Sequence, residues 1–313
     1  MPAVVAAKAA PHRLQSPPRA PWVWWHLLSL DAPTVAALWC WFFAYAARVH
    51  LRGVALPTLA LGTWCVYVAD RLLDGWRAQE TARLRDRHWF YLRHRRLFTV
   101  AWMTAAVPLG YLILARVQRG VRADDLALGL IGAVYFLLIH AGRGSRGTEP
   151  WMQPSKLPRA TEEDSARWFP KELAVGFLFA IATAVPTWAR ISAGRGALLA
   201  AVFAFGCLCW LNCVAIQVWE DAHAASARSR PPRLTTFLGR HLRRFSMAVG
   251  ALGLTLAGVT AHTPWWPVFA AVLLSAALFL GLARASERWS ALSLRIAADA
   301  ALLTPLLFLL RFR

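Results

Sequence analysis

Tyr67-Val-Ala-Asp70-Arg71-Leu-Leu-Asp74 closes a hydrophobic run that starts near residue 54 and is long enough to cross a membrane. A four-residue spacing on a helix stacks Asp70 and Asp74 on one face, roughly 6 Å apart along the axis. Two carboxylates at a membrane helix end are costly unless they are paired, hydrated or bound to a cation. A second stretch of the same character, Asn212-Cys-Val-Ala-Ile-Gln217-Val-Trp-Glu220-Asp221, closes another apolar run 146 residues further on.

Composition sets the frame for both. Of the 313 residues, 58% are hydrophobic, and the mean hydropathy is +0.42. Apolar segments recur along nearly the whole length, which predicts an all-α polytopic membrane protein in contact with membrane lipids. The net charge of +19 comes from 35 Lys+Arg against 16 Asp+Glu. These charges fall in the loops between apolar segments rather than on one soluble face, which argues against a nucleic-acid partner. Lysine occurs only at Lys8, Lys156 and Lys171. The five cysteines all lie inside apolar segments, so neither a disulfide framework nor a zinc site is indicated. Residues 1–20 hold three basic residues and four prolines without a long apolar core, and they read as a disordered cytoplasmic tail. Residues 21–313 then form one transmembrane domain.

Nine spans can be drawn, near 31–51, 54–74, 97–115, 125–142, 172–189, 197–220, 245–262, 265–283 and 290–310. With the N-terminus inside, 24 Lys+Arg lie in inside segments and 9 in outside ones. That excess predicts a cytoplasmic N-terminus and an external C-terminus, in the inner (plasma) membrane of a bacterium. Tryptophans such as Trp22, Trp24, Trp25, Trp265, Trp266 and Trp289 gather near span ends, as interface anchors do.

In this topology Asp70, Asp74, Glu172, Glu220 and Asp221 share the cytoplasmic helix ends. The second and sixth spans run in the same direction, and each ends in acids followed by an arginine-rich loop. This suggests a weak parallel repeat of spans 1–4 and 5–8, with span 9 appended. Carboxylate oxygens at one rim suit Mg²⁺, which keeps several waters and bridges to phosphate. Arg71, Arg77 and Arg83 could contact a diphosphate in forked geometry.

These features resemble the UbiA-type intramembrane prenyltransferase superfamily, over roughly residues 20–310. Members have nine transmembrane helices around a cytoplasm-facing cavity, with aspartate-rich motifs ending the second and sixth helices. Asp70-x-x-x-Asp74 resembles the end of the first motif, and Asn212 to Asp221 occupies the place of the second. Phe169-Pro-Lys171, followed by Gly176, resembles the element that opens the fifth helix, with its lysine one residue early. The loop Arg85 to Tyr91 lies where members cover the pocket. The resemblance implies Mg²⁺ held by Asp70, Asp74, Glu220 and Asp221. It implies an isoprenyl diphosphate contacted by Arg71, Arg77, Lys171, Asn212 and Gln217, and transfer to a lipophilic, aromatic acceptor. The sequence departs from the family where the first motif usually has Asn, here Val66. Aligning Asp74 with Glu220 sets Asp70 against Ile216; the alternative i, i+4 pair is Gln217 and Asp221. The competing readings are a divergent lipid-binding member with lost or altered chemistry, and a membrane transporter.

Other polar residues read as structural. Asp31, before Ala32-Pro33, is placed as a helix N-cap. Arg295 and Asp299, four apart in the last span, are expected to neutralise each other. Tyr135 and His140 face the inside half of the fourth span.

Overall fold

A computed structural model describes residues 20–81, 86–116, 171–223 and 233–309. Among them every regular segment is helical and none is a strand. In chain order the α-helices are α1 (Pro21–Leu27), α2 (Asp31–Ala46), α3 (Ala55–Thr81), α4 (Asp86–Arg93) and α5 (Arg95–Tyr111), the last continued by a π turn at Leu112–Arg116. After the break come α6 (Lys171–Trp188), α7 (Arg195–His223), α8 (Arg233–Arg240), α9 (Leu242–Val259), α10 (Trp266–Ala285), α11 (Ala291–Ala301) and α12 (Pro305–Leu309).

Six of the resulting segments are long and apolar enough to cross a membrane: Arg95–Arg116, Lys171–Trp188, Arg195–Ala222, Leu242–Val259, Trp266–Arg288 and Ala291–Phe308. A seventh arises if α1 and α2, which meet at 90°, count as one broken span. The predicted fourth span, with Tyr135 and His140, lies outside the described residues. The predicted second span corresponds to α3, which continues seven residues beyond Asp74 to Thr81. Asp70 and Asp74 therefore lie inside a helix, not at its end. Likewise Arg85–Tyr91, expected to be loop, contributes most of α4.

Lipid contact explains the apolar surface. On α5, Leu97, Val100, Met103 and Val107 are all largely exposed, and Leu254 and Val259 of α9 are too. A soluble surface does not sustain such a continuous apolar face. Where helices meet, backbones approach closely, as membrane helices do when small residues line the contact. A Cβ on Gly176 of α6 would sit 2.7 Å from the backbone nitrogen of Trp210 in α7, and one on Gly253 of α9 would sit 2.8 Å from that of Leu273 in α10.

The core lies where α2, α7 and α11 meet. Trp39 is fully buried and stacks on Phe205 at 4.1 Å between centroids. Its indole N–H donates to the carbonyl of Leu302 at 2.8 Å. That carbonyl lies just beyond α11, where Pro305, which has no N–H, opens α12. The tryptophan thus satisfies a group freed by the helix break, as a low-dielectric interior demands.

Two segments follow one plan. α3, α4 and α5 form a long helix, an eight-residue helix and a long helix, and so do α7, α8 and α9. Asp86 and Arg233, Arg93 and Arg240, and Arg95 and Leu242 open or close corresponding helices, each pair 147 residues apart. A histidine joins the second and third helix in both. His94 has φ −106° and ψ 21°, and His241 has φ −114° and ψ 28°. Each lies against the phenylalanine four residues earlier, Phe90 at 4.7 Å and Phe237 at 4.8 Å.

Replacing Gly176 with Leu should destabilise the bundle by at least about 1–3 kcal/mol, the usual range for overpacking. Gly281→Leu, at a position with open space around it, should cost much less. Thermal unfolding of both variants in detergent measures the difference.

Candidate functional site

The densest polar packing lies at the end of the bundle where α2 begins and α3 and α7 finish. It depends on the α1–α2 bend. Ser29, fully buried, takes a left-handed φ of 55°, a conformation that a non-glycine residue holds only when its surroundings enforce it. Its hydroxyl shares a 2.7 Å hydrogen bond with the phenol of Tyr91 on α4. The indole N–H of Trp64 on α3 donates to the carbonyl of Leu28 at 3.0 Å.

The bend folds His26 back onto Asp31, the first residue of α2. His26 Nδ1 and Asp31 Oδ2 are 2.7 Å apart, and Asp31 Oδ1 accepts from the N–H of Ala32 at 3.0 Å. The same Nδ1 is 3.8 Å from Asp299 Oδ2 on α11. Asn212 of α7 donates from Nδ2 to Asp299 Oδ1 at 3.2 Å. Arg71 of α3, only 4% exposed, brings Nη2 to 3.7 Å from Asp31 Oδ2 and lies 5.8 Å from the centre of the Tyr91 ring. Neither Nη atom of Arg71 has a hydrogen-bond partner, nor does Oδ1 of Asn212. Among the described residues, His26, Asp31 and Asp299 bring one ligand atom each to within 4.8 Å of the others. Burial pushes the Tyr91 phenol above its ordinary pKa of 10.0, against the Ser29 hydrogen bond and the Arg71 charge. At neutral pH its hydroxyl therefore stays protonated.

Glu220 of α7 accepts from Nη1 of Arg295 on α11 at 2.6 Å, and both side chains are mostly buried. Gln217 donates to Asp221 at 2.8 Å, one turn along α7. Buried Glu172 of α6 accepts from the hydroxyl of Thr235 on α8 at 2.9 Å. Asp70 and Asp74 are half-buried on α3, and Lys171 is exposed at the first position of α6. The side chain of Arg77 lies outside the described residues, as does Arg83.

Two sequence expectations are corrected. Arg295 and Asp299 do not neutralise each other: Arg295 reaches across to Glu220, while Asp299 turns to His26 and Asn212. Asp31 is not an N-cap. Leu30 holds that position without a side-chain bond, and Asp31 faces His26 and Arg71. The sequence reading missed His26, whose only signal was a lone histidine among tryptophans in an apolar stretch.

For Mg²⁺, the fit of the expected ligands is uneven. Asp70 and Asp74 provide hard oxygens on one helix face, and Asp221 provides another beside an amide. Glu220 fits poorly as a ligand, because the Arg295 guanidinium already sits on its carboxylate at hydrogen-bond distance.

The Glu220–Arg295 bridge should show strong coupling. Arg295→Met should lower stability by about 3 kcal/mol, the cost of stripping one partner from a buried pair. Glu220→Gln combined with Arg295→Met should recover most of it. A double-mutant cycle by thermal unfolding reads the coupling, and additive single losses would show that the bridge contributes nothing.

No protein-family model, curated protein or solved structure matches this chain.

Proposed function

We propose that the protein is a UbiA-like intramembrane prenyltransferase of nine helices, with a cavity open to the cytoplasm in a bacterial inner membrane. It moves an isoprenyl group from its diphosphate to a lipophilic acceptor. One observation carries this reading: two segments of the same plan, 147 residues apart, place acidic sites at corresponding positions. The helix boundaries set a register in which Asp74 corresponds to Asp221 and Asp70 to Gln217. That differs by one residue from the sequence alignment of Asp74 with Glu220. It also makes sense of the Gln217–Asp221 hydrogen bond, which spans the same i, i+4 step as Asp70 and Asp74.

In this register the two halves are unequal. The first presents two carboxylates and the second presents one with an amide. Asp70, Asp74 and Asp221 would hold the cation, and Glu220 serves the helix bundle through Arg295. Bound Mg²⁺ supplies charge neutralisation for the leaving diphosphate. Lys171, at the start of α6, is the exposed cation available to the phosphate oxygens. Hydrocarbon-facing helices hold the isoprenyl tail, and their exclusion of water protects an electron-poor allylic carbon from hydrolysis.

The broken spans favour a second reading. α1 and α2 meet at 90°, and α11 gives way to α12 at Pro305. Discontinuous helices beside buried charges also build transporter sites.

Purified protein with Mg²⁺ and an isoprenyl diphosphate should release diphosphate when a lipophilic aromatic acceptor is supplied. Asp70→Ala or Asp74→Ala should reduce the rate by about 100-fold or more, the scale on which single electrostatic contacts act in such chemistry. Full turnover by both variants would remove the assigned site. Solute uptake by proteoliposomes without diphosphate release would favour the transporter.

A further inference from the structure

We infer that His26, Asp31 and Asp299 form a divalent-cation site that is distinct from the Asp70–Asp74 rim and independent of prenyl transfer. Their ligand atoms come from α1, α2 and α11 and already lie within 4.8 Å of one another. Donors bound about 2.1 Å from a tetrahedral or octahedral ion stand roughly 3.0–3.4 Å apart. The separations of His26 Nδ1 from Asp31 Oδ2 and Asp299 Oδ2, 2.7 and 3.8 Å, bracket that range. Shifts of about half an ångström would seat the ion.

The local charge points the same way. Two carboxylates are packed together away from water, which is unfavourable without a compensating cation. Arg295 is taken up by Glu220. Arg71 offers the nearby positive charge, but across 3.7 Å and with neither Nη hydrogen-bonded. A side chain that is 96% buried with two unsatisfied donors is a second, separate anomaly at the same place. One bound group accounts for both. An ion on His26, Asp31 and Asp299 neutralises the carboxylates, and water or an anion in its remaining positions accepts from Arg71.

The donor set selects the metal. An imidazole nitrogen with two carboxylate oxygens suits Mn²⁺, Fe²⁺, Co²⁺ or Zn²⁺, whereas Mg²⁺ prefers oxygen alone. Such an ion would pin the bent α1 against both α2 and α11.

The test uses the full-length protein in detergent, stripped with chelator and titrated with Co²⁺ and Zn²⁺. The wild type should bind about one equivalent and develop the visible d–d absorption of nitrogen- and oxygen-bound Co²⁺, with a rise in thermal stability. His26→Gln and Asp299→Asn, checked for folding by size-exclusion profile, should weaken binding by about 100-fold or more. Asp74→Asn should leave it unchanged. Absence of a binding equivalent in the wild type would overturn the site, whatever the variants do. Binding that survives His26→Gln but is lost in Asp74→Asn would also overturn it, and would place the ion on the rim acids of the proposed transferase instead.

Discussion

The contact of His26 with Asp31 and Asp299 ties together parts of the chain that are nearly 270 residues apart. Carboxylates and an imidazole withdrawn from water at a membrane-embedded helix end cannot be left separate, because isolated buried charge is far costlier than paired charge. That constraint bends the chain by 90° between α1 and α2 and holds Ser29 in a left-handed conformation. It also fixes the rotation of α11, which must turn Asp299 inward toward Asn212. With that rotation set, Arg295, four residues earlier, is in reach of Glu220 on α7. The charges of α2, α3, α7 and α11 therefore form adjoining contacts rather than separate pairs.

Away from this end, a different force holds the helices together. Lipid is as apolar as the side chains it contacts, so burying leucine against a neighbouring helix brings little hydrophobic gain. Close backbone packing and satisfied polar groups take that role. Gly176 and Gly253 allow near contact of α6 with α7 and of α9 with α10. Trp39 caps the break beyond α11 while stacking on Phe205. Ser275 and Thr304 share a buried hydrogen bond across α10 and the α11–α12 break, and Thr304 also donates to the carbonyl of Ala271.

The two similarly built segments have diverged in charge. In the 147-residue register, Arg71 of α3 corresponds to Val218 of α7, and Asp70 to Gln217. The first segment carries the guanidinium that faces Asp31. The second instead borrows Arg295 from α11 to meet Glu220. A duplicated frame thus supports two chemically different half-sites, and the polar residues added by α1 and α11 give the asymmetry its structural use.

Much of the frame was legible locally. Hydropathy marks the membrane-crossing segments, because a helix must satisfy its own backbone in lipid and so needs a long apolar run. The four-residue spacing of Asp70 and Asp74 places them on one face wherever the helix ends. Boundaries were less legible: α3 runs on to Thr81 because its last polar turns remain good helix formers after the apolar signal stops. Charge pairing was misread for a physical reason. Arg295 and Asp299 satisfy the local i, i+4 rule, yet that rule describes an isolated helix, where the alternative partner is water. Inside the bundle, Glu220 offers Arg295 a mostly buried carboxylate at 2.6 Å, and His26 and Asn212 take up Asp299. The sequence by itself determined that the chain is helical and membrane-embedded and which side chains carry the charge. Only the tertiary structure decided which charges meet, because this depends on the rotation of each helix about its axis and on a bend that brings His26 back over Asp31.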